Sequence, residues 1–295
     1  MANDSRTSLL CPNCHRLVSA QAKHCLHCGT ANPGAWWKNN RLTRGLQNGD
    51  AILRALLVAN IGMYIVSLLQ LDGVRVSGNP LAFLSPSNRS LLLLGATGTI
   101  PIDQLQRWWT LLSASYLHGG ILHIVFNMMA LRQLVPFVAS EYGPSRLVII
   151  YTVTGIVGFA VSYAAGIQFT IGASAAVCGL IGAALYFGKS RGGAYGTAIY
   201  RQVGGWALTI FLFGFLISGI NNWAHGGGMV SGALCGYWLN YQERAGEPLW
   251  HKGLASVCIV VPVLVLAWAL VASFLYGWNP PAGGPISSYY RSLSR

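Results

Sequence analysis

The sequence predicts an all-α polytopic membrane protein with a small polar head, and three observations carry that prediction. Of its 295 residues, 53% are hydrophobic and only 9% charged, against roughly a quarter charged in a typical soluble domain. Apolar runs of about twenty residues recur, each long enough to cross a hydrocarbon core of roughly 30 Å as a helix. The runs are continuous rather than alternating, which favours helices over a barrel.

Residues 1–30 form the head. Cys11-Pro-Asn-Cys14 and Cys25-Leu-His-Cys28 are two Cys-x-x-Cys knuckles, and Pro12 and Gly29 suit the tight turns that knuckles need. Four thiolates close a tetrahedral site, and so short a segment has no core of its own, so a structural Zn2+ would supply its folding free energy. The pattern resembles a short zinc ribbon. His15, His24 and His27 crowd the same stretch and one could replace a cysteine, although four cysteines suffice. A disulfide pair or incidental thiols is the competing reading, disfavoured in a reducing compartment. Cys178, Cys235 and Cys258 stand isolated in apolar stretches and read as packing residues. No cleavable signal peptide is legible ahead of the cysteines.

Residues 31–50 are a basic linker with Trp36, Trp37, Lys38, Arg41 and Arg44, suited to the bilayer interface. The first apolar run covers about 51–70, with Arg54 close enough to its start to snorkel. The connection 71–117 is too apolar for a plain loop, with Leu91–Leu94 and Leu105–Leu112, and reads as helices lying in the membrane interface. Six further spans are predicted at about 119–138, 146–166, 172–188, 203–220, 225–241 and 253–276. This divides the chain into a six-helix core at 51–241, a loop with a seventh helix at 242–276 and a disordered tail at 277–295, rich in Pro and Gly.

The net charge of +12 invites a nucleic-acid reading, but its distribution argues for membrane topology instead. With seven spans, Arg132, Arg146, Lys189, Arg191, Arg201, Arg244 and Lys252 fall on the same side as the basic head and linker. Only Arg75, Arg89, Arg107, Arg291 and Arg295 fall on the other. The expectation is a multi-pass protein of a bacterial cytoplasmic membrane, its N-terminus cytoplasmic and its C-terminus outside.

Two glycine-rich runs carry the candidate chemistry. Ser174 opens the fourth span after Gly172, and His225 opens the sixth, so both sit near the outer ends of parallel helices, at one depth. Polar groups in lipid are costly and tend to be functional. Ser174 as nucleophile and His225 as base suit acyl transfer, with His123 and Asn127, one turn apart, as donors to the oxyanion. None of Asp4, Asp50, Asp72, Asp103, Glu141, Glu243 and Glu247 falls inside a predicted span, so the machinery is a Ser-His dyad without a cofactor. Gly172, Gly179 and Gly182 on one helix and Gly228, Gly232 and Gly236 on the other permit close backbone approach, though a general small-residue packing face accounts for them equally well. Gln168, Thr170, Asn221 and Asn222 either line a water cavity or form ordinary polar loops.

Gly172-Ala-Ser174-Ala, Ala224-His225-x-x-Gly228-x-x-x-Gly232, His123-x-x-x-Asn127 and the stretch Gln106–Gly120 with His118 together resemble the rhomboid family of intramembrane serine proteases, over about residues 50–241. The resemblance implies a rhomboid-like six-helix fold with one added helix, and cleavage of transmembrane protein substrates near the outer face. It also implies a lateral gate at the fifth span near Trp206 and a supporting role for His118. Three positions depart from the family pattern: Thr110 where Arg is frequent, Ala175 where Gly is common, and Cys178 where an aromatic often packs on the histidine. The competing class is a silent relative that binds or escorts membrane helices. The ribbon invites a protein partner, and nucleic acid is disfavoured.

Overall fold

The structure is a computed structural model that describes residues 7–12, 16–27, 29–35, 48–70, 74–75, 83–217, 219–241 and 247–278. In the head, β1 (Ser8–Leu10) and β2 (Leu17–Ser19) pair antiparallel. Cys11 and Cys25 are buried there with Val18. The Cys11 N–H donates to the Arg16 carbonyl and the Cys25 N–H to the Thr30 carbonyl, both at 2.8 Å, so each cysteine begins a backbone-closed turn. Cys14 and Cys28, and with them half of the predicted zinc ligands, lie outside the described residues, as do the linker residues 36–47 and the tail.

The remainder is helical. α1 (Gly49–Leu69) starts at Asn48, whose side chain caps it by accepting from the Asp50 N–H at 2.9 Å. The connection to the next long helix is a set of short pieces: β3 (Val74–Arg75) paired with β4 (Ser85–Pro86), α2 (Asn88–Leu93), a π-turn at Ile100–Gln104, α3 (Thr110–Ser113) and a 3-10 turn at Ala114–Tyr116. Leu91, Leu92, Leu93 and Leu94 are fully packed away, which is why this stretch reads as too apolar for a loop. Thr110 is not left loose by the missing arginine: its hydroxyl bonds Thr97 Oγ1 at 3.0 Å and the Arg107 carbonyl at 2.6 Å.

α4 (Ile121–Tyr142), α5 (Pro144–Ala164), α6 (Ser174–Arg191), α7 (Gly193–Leu216), α8 (Asn222–Leu239) and α9 (Leu249–Trp278) complete the bundle. Among the described residues, five helices are long and apolar enough to cross a membrane: α1, α4, α5, α7 and the Trp250–Leu275 part of α9. Two of the seven predicted spans, now α6 and α8, are not in that set. Their Gly, Ala, Ser and His residues lower their hydropathy. α6, at the centre with α4, α5, α7 and α8 around it, meets protein where an outer helix meets lipid. α7 begins at Gly193, ten residues before the predicted start at 203, because the turn falls at Gly192 and Gly193, both at φ +63°.

The seam between α6 and α8 is built on missing side chains. A Cβ on Gly228 would strike the Ala175 carbonyl, one on Gly232 the Gly179 carbonyl, and one on Gly182 the Met229 carbonyl. Gly179 has a second close neighbour besides Gly232, since its own open side is filled by Thr154 of α5. At the far end of the bundle, Tyr142 donates to the Ala183 carbonyl at 2.8 Å, and Arg146 donates to the Tyr142 carbonyl at 2.8 Å and the Leu239 carbonyl at 3.0 Å. Glu247 accepts from the Ser145 N–H at 2.9 Å and from its hydroxyl, capping the start of α5.

Candidate active site

Ser174 is the first residue of α6, preceded by Ala173, which offers no side-chain cap. Among the described residues no side-chain cap satisfies the opening N–H groups of α6, and the positive end of the helix faces the serine. Gly172 sits at φ +127°, a conformation that suits glycine, and its N–H donates to the Ala114 carbonyl at 2.9 Å. That anchor ties the serine turn to the end of the long connection.

His225 lies in the first turn of α8 and is 6% exposed. Its Nε2 is 2.9 Å from Ser174 Oγ. Its Nδ1 is buried without a hydrogen-bond partner among the described residues, so no carboxylate or carbonyl orients the ring. For Nε2 to accept the serine proton the neutral ring must carry its hydrogen on Nδ1. Next to it in the chain, Ala224 shares a buried cluster with Ala175, Ala114 and Phe159, with Leu111 against it. Asp103, an acidic residue at this end of the bundle, is engaged elsewhere and accepts from Tyr163 at 2.7 Å. Two acidic residues fall within helix ends rather than loops, Asp50 in α1 and Glu141 in α4.

His123 completes the pocket. The Gly119 N–H donates to its Nδ1 at 3.3 Å, which puts its hydrogen on Nε2. A Cβ on Gly172 would fall 2.7 Å from that Nε2 and 3.5 Å from Ser174 Oγ, so the space kept open by Gly172 is bordered by the serine oxygen and a histidine donor. Asn127, 6% exposed, donates to the His123 carbonyl at 2.8 Å and secures that turn of α4. His118 stacks edge-on against His123, centroids 5.0 Å apart, with both its nitrogens buried and unpartnered among the described residues. Burial first, and His123 second, holds His118 well below its ordinary pKa, so it is a neutral packing group.

The polar residues near the mouth bind one another. Asn221 donates to Ser162 Oγ at 2.6 Å and Thr170 Oγ1 at 3.0 Å while its Oδ1 caps α8 through the Ala224 N–H at 3.1 Å. Thr170 in turn pairs its backbone with Thr97, at 2.7 and 3.1 Å. Ser162 is thus part of the clamp that fixes the start of the histidine helix. Asn222 does not join it; its buried Oδ1 is unpartnered among the described residues and packs on Gly214 of α7. Cys178 is fully buried in α6.

Comparison with known proteins adds a family. The Rhomboid domain matches residues 105–242. The Rhomboid protease GluP of Bacillus subtilis (strain 168) is 30% identical over 241 residues, covering 80% of this chain but 42% of GluP, so the chain spans less than half of that relative. RHOMBOID-like protein 7 of Arabidopsis thaliana is 30% identical over 270 residues, 80% of this chain and 83% of the relative. Inactive RHOMBOID-like protein 8, also of Arabidopsis thaliana, is 32% identical over 184 residues, 60% of this chain and 51% of the relative.

Proposed function

Since the chain belongs to the rhomboid family, we propose that it is an intramembrane serine endopeptidase that cuts transmembrane segments of other proteins with a Ser174–His225 dyad. The observation that carries this reading is the 2.9 Å contact between Ser174 Oγ and His225 Nε2 at the starts of two helices whose seam fixes their relative position. In the first half-reaction His225 Nε2 takes the Ser174 proton as Oγ bonds to the scissile carbonyl carbon. The carbonyl oxygen becomes an oxyanion beside His123 Nε2–H and the opening N–H groups of α6. The tetrahedral intermediate collapses, the C–N bond breaks, and His225 returns its proton to the departing amine. Water, deprotonated by His225, then attacks the acyl carbon, the ester C–O bond breaks, and His225 returns the proton to Ser174 Oγ as the carboxylic acid product leaves. No member of this scheme needs a metal or cofactor.

The same reading makes the chain a multi-pass membrane protein in which α6 and α8 join the five long apolar helices as spans, with the basic helix ends, among them Arg146, Lys189, Arg191 and Lys252, on the cytoplasmic side. A bacterial cytoplasmic membrane with the N-terminus inside and the C-terminus outside fits that charge pattern. The head is a zinc ribbon in this proposal, held by Cys11, Cys14, Cys25 and Cys28. The burial of Cys11 and Cys25 beside Val18 at backbone-closed turns suits thiolates gathered round one ion. Its partner would be a protein.

The test is cleavage of a model transmembrane substrate by purified, reconstituted protein. Product should form with the unaltered chain and be absent with Ser174→Ala and with His225→Ala; product persisting in both variants would remove the assignment. A fluorophosphonate probe separates protease from silent relative, because only an activated Ser174 is labelled.

A further inference from the structure

The head leaves apolar surface uncovered. β1 and β2 pair with Leu9 opposite Val18 and Leu10 opposite Leu17. Successive residues of a strand point to opposite faces, so one face of the hairpin carries Leu9 and Val18 against Cys11 and Cys25, and the other carries Leu10 and Leu17 side by side. Val18 is buried, whereas Leu10 is 58% and Leu17 66% exposed, and Leu26 in the second knuckle is 94% exposed. An Arg16 guanidinium N–H donates to His27 Nδ1 at 3.4 Å, which ties that knuckle to the hairpin at the residue before Leu17. One exposed leucine is ordinary on any protein, but three within Thr7–Ala35, two of them directly opposed, make a surface that water does not stabilise.

What covers that face is set by charge and by reach. Thr7–Ala35 holds Arg16 and Lys23, both exposed, and neither Asp nor Glu. Residues 36–47, which join the head to α1, add Lys38, Arg41 and Arg44, again without an acid, and begin with Trp36 and Trp37. That connection spans at most about 43 Å when fully extended, so the head stays beside the bilayer that α1 enters. On so short a tether the effective concentration of the surface is high, and a modest apolar contact is enough to hold the head on it. Cations without acids are drawn to anionic headgroups, and leucines gain by entering the acyl boundary beneath them. A protein of matching charge satisfies the same chemistry but is not kept within reach by the chain itself.

We propose that the hairpin face of Leu10 and Leu17, together with Leu26, docks on the anionic bilayer surface next to the start of α1, the leucines entering the acyl boundary while Arg16 and Lys23 meet phosphates. A protein partner of the ribbon then meets the surface turned away from the lipid. The docking requires that the chain be a membrane protein, not that it cleave anything.

The experiment uses the full chain, one copy per nanodisc, in phosphatidylcholine with one-third phosphatidylglycerol and a trace of phosphatidylglycerol bearing a diazirine near the start of its acyl chain. After irradiation, peptide mass spectrometry compares label on the head with label on α7, whose exposed Leu208 and Leu212 serve as the internal reference. The unaltered chain should carry label in the peptides that hold Leu10, Leu17 and Leu26. Leu10→Ser with Leu17→Ser should lower head label roughly five- to tenfold relative to α7, and Leu10→Met with Leu17→Met should keep it. Discs of phosphatidylcholine alone, with the diazirine on phosphatidylcholine, should lower it about threefold. An unlabelled head in the unaltered chain overturns the proposal in favour of a protein on that face, and label unchanged in the serine variant overturns it in favour of contact through Trp36 and Trp37. Equal loss in the methionine variant, or equal label in the two lipids, overturns it as well, the first because the hairpin's integrity rather than its leucines is then responsible, the second because headgroup charge then has no part. The readout involves no cleavage, so it stands or falls separately from the protease assignment.

Discussion

α8 packs against α5 and α6 and sparsely against α7, and it treats the last two differently. Against α6 it has no side chains in the way: Gly228 and Gly232 rest on the carbonyls of Ala175 and Gly179, and Gly182 receives Met229. Against α7 the contact is sparse, with Gly226 touching Phe211 and Gly214 touching Asn222. α7 keeps only 11% of its apolar stretch buried and exposes Leu208, Leu212, Phe213, Phe215 and Leu216. The first seam fixes a distance, and the second holds a wall. Ser174 and His225 sit on the first because a dyad with no third residue has only backbone packing to set its geometry.

The sharpest way to break the contrast is to add bulk on each side. Gly232→Leu forces the Gly179 backbone away and should remove activity and folding together, read as loss of a monodisperse species and of a cooperative melt; overpacking of this kind costs about 1–3 kcal/mol or more. His123→Ala should separate chemistry from stability, lowering the cleavage rate roughly 10²- to 10³-fold, as expected for one oxyanion donor, with little change in melting temperature. Asn221→Ala, which removes the α8 cap and its bonds to Ser162 and Thr170, should cost about 1–2 kcal/mol in a denaturant titration and slow cleavage only through loosened placement of His225. At the weak end, Leu212→Ala on the exposed face of α7 should change stability by less than about 0.5 kcal/mol. A large loss there would show that the second seam carries as much as the first.

The sequence makes some of this visible and hides the rest for physical reasons. Ser174 and His225 are legible because glycines at fixed spacing mark helices that nearly touch and because titratable groups in apolar runs are rare. Their relative depth follows from counting spans. The start of α7 is not legible, because Gly193 to Gln202 is neither apolar enough for lipid nor polar enough for a loop. Hydropathy likewise undervalues α6 and α8, whose surroundings are protein. Asn221 reads as either a cavity-lining or an ordinary loop residue, and its cap on α8 and its bond to Ser162, 59 residues away, are legible from neither reading. Gly179 does lie on the α6–α8 seam, its backbone under Gly232, but period alone does not say that Thr154 fills its own open side. Thr110 shows the reverse: a residue absent from the family's usual pattern is replaced by a local hydroxyl pair.

Glu247 closes the bundle from the far side of the chain. The groups it satisfies, the Ser145 N–H and hydroxyl, are made 102 residues earlier, and the Leu239 carbonyl that receives Arg146 is made 93 residues after that arginine. During synthesis α5 thus leaves the ribosome with its first turn uncapped and a guanidinium without its long-range partner. The guanidinium is settled by the last residue of α8 and the cap by Glu247 just after it. This end of the bundle is therefore closed by residues that the chain supplies late.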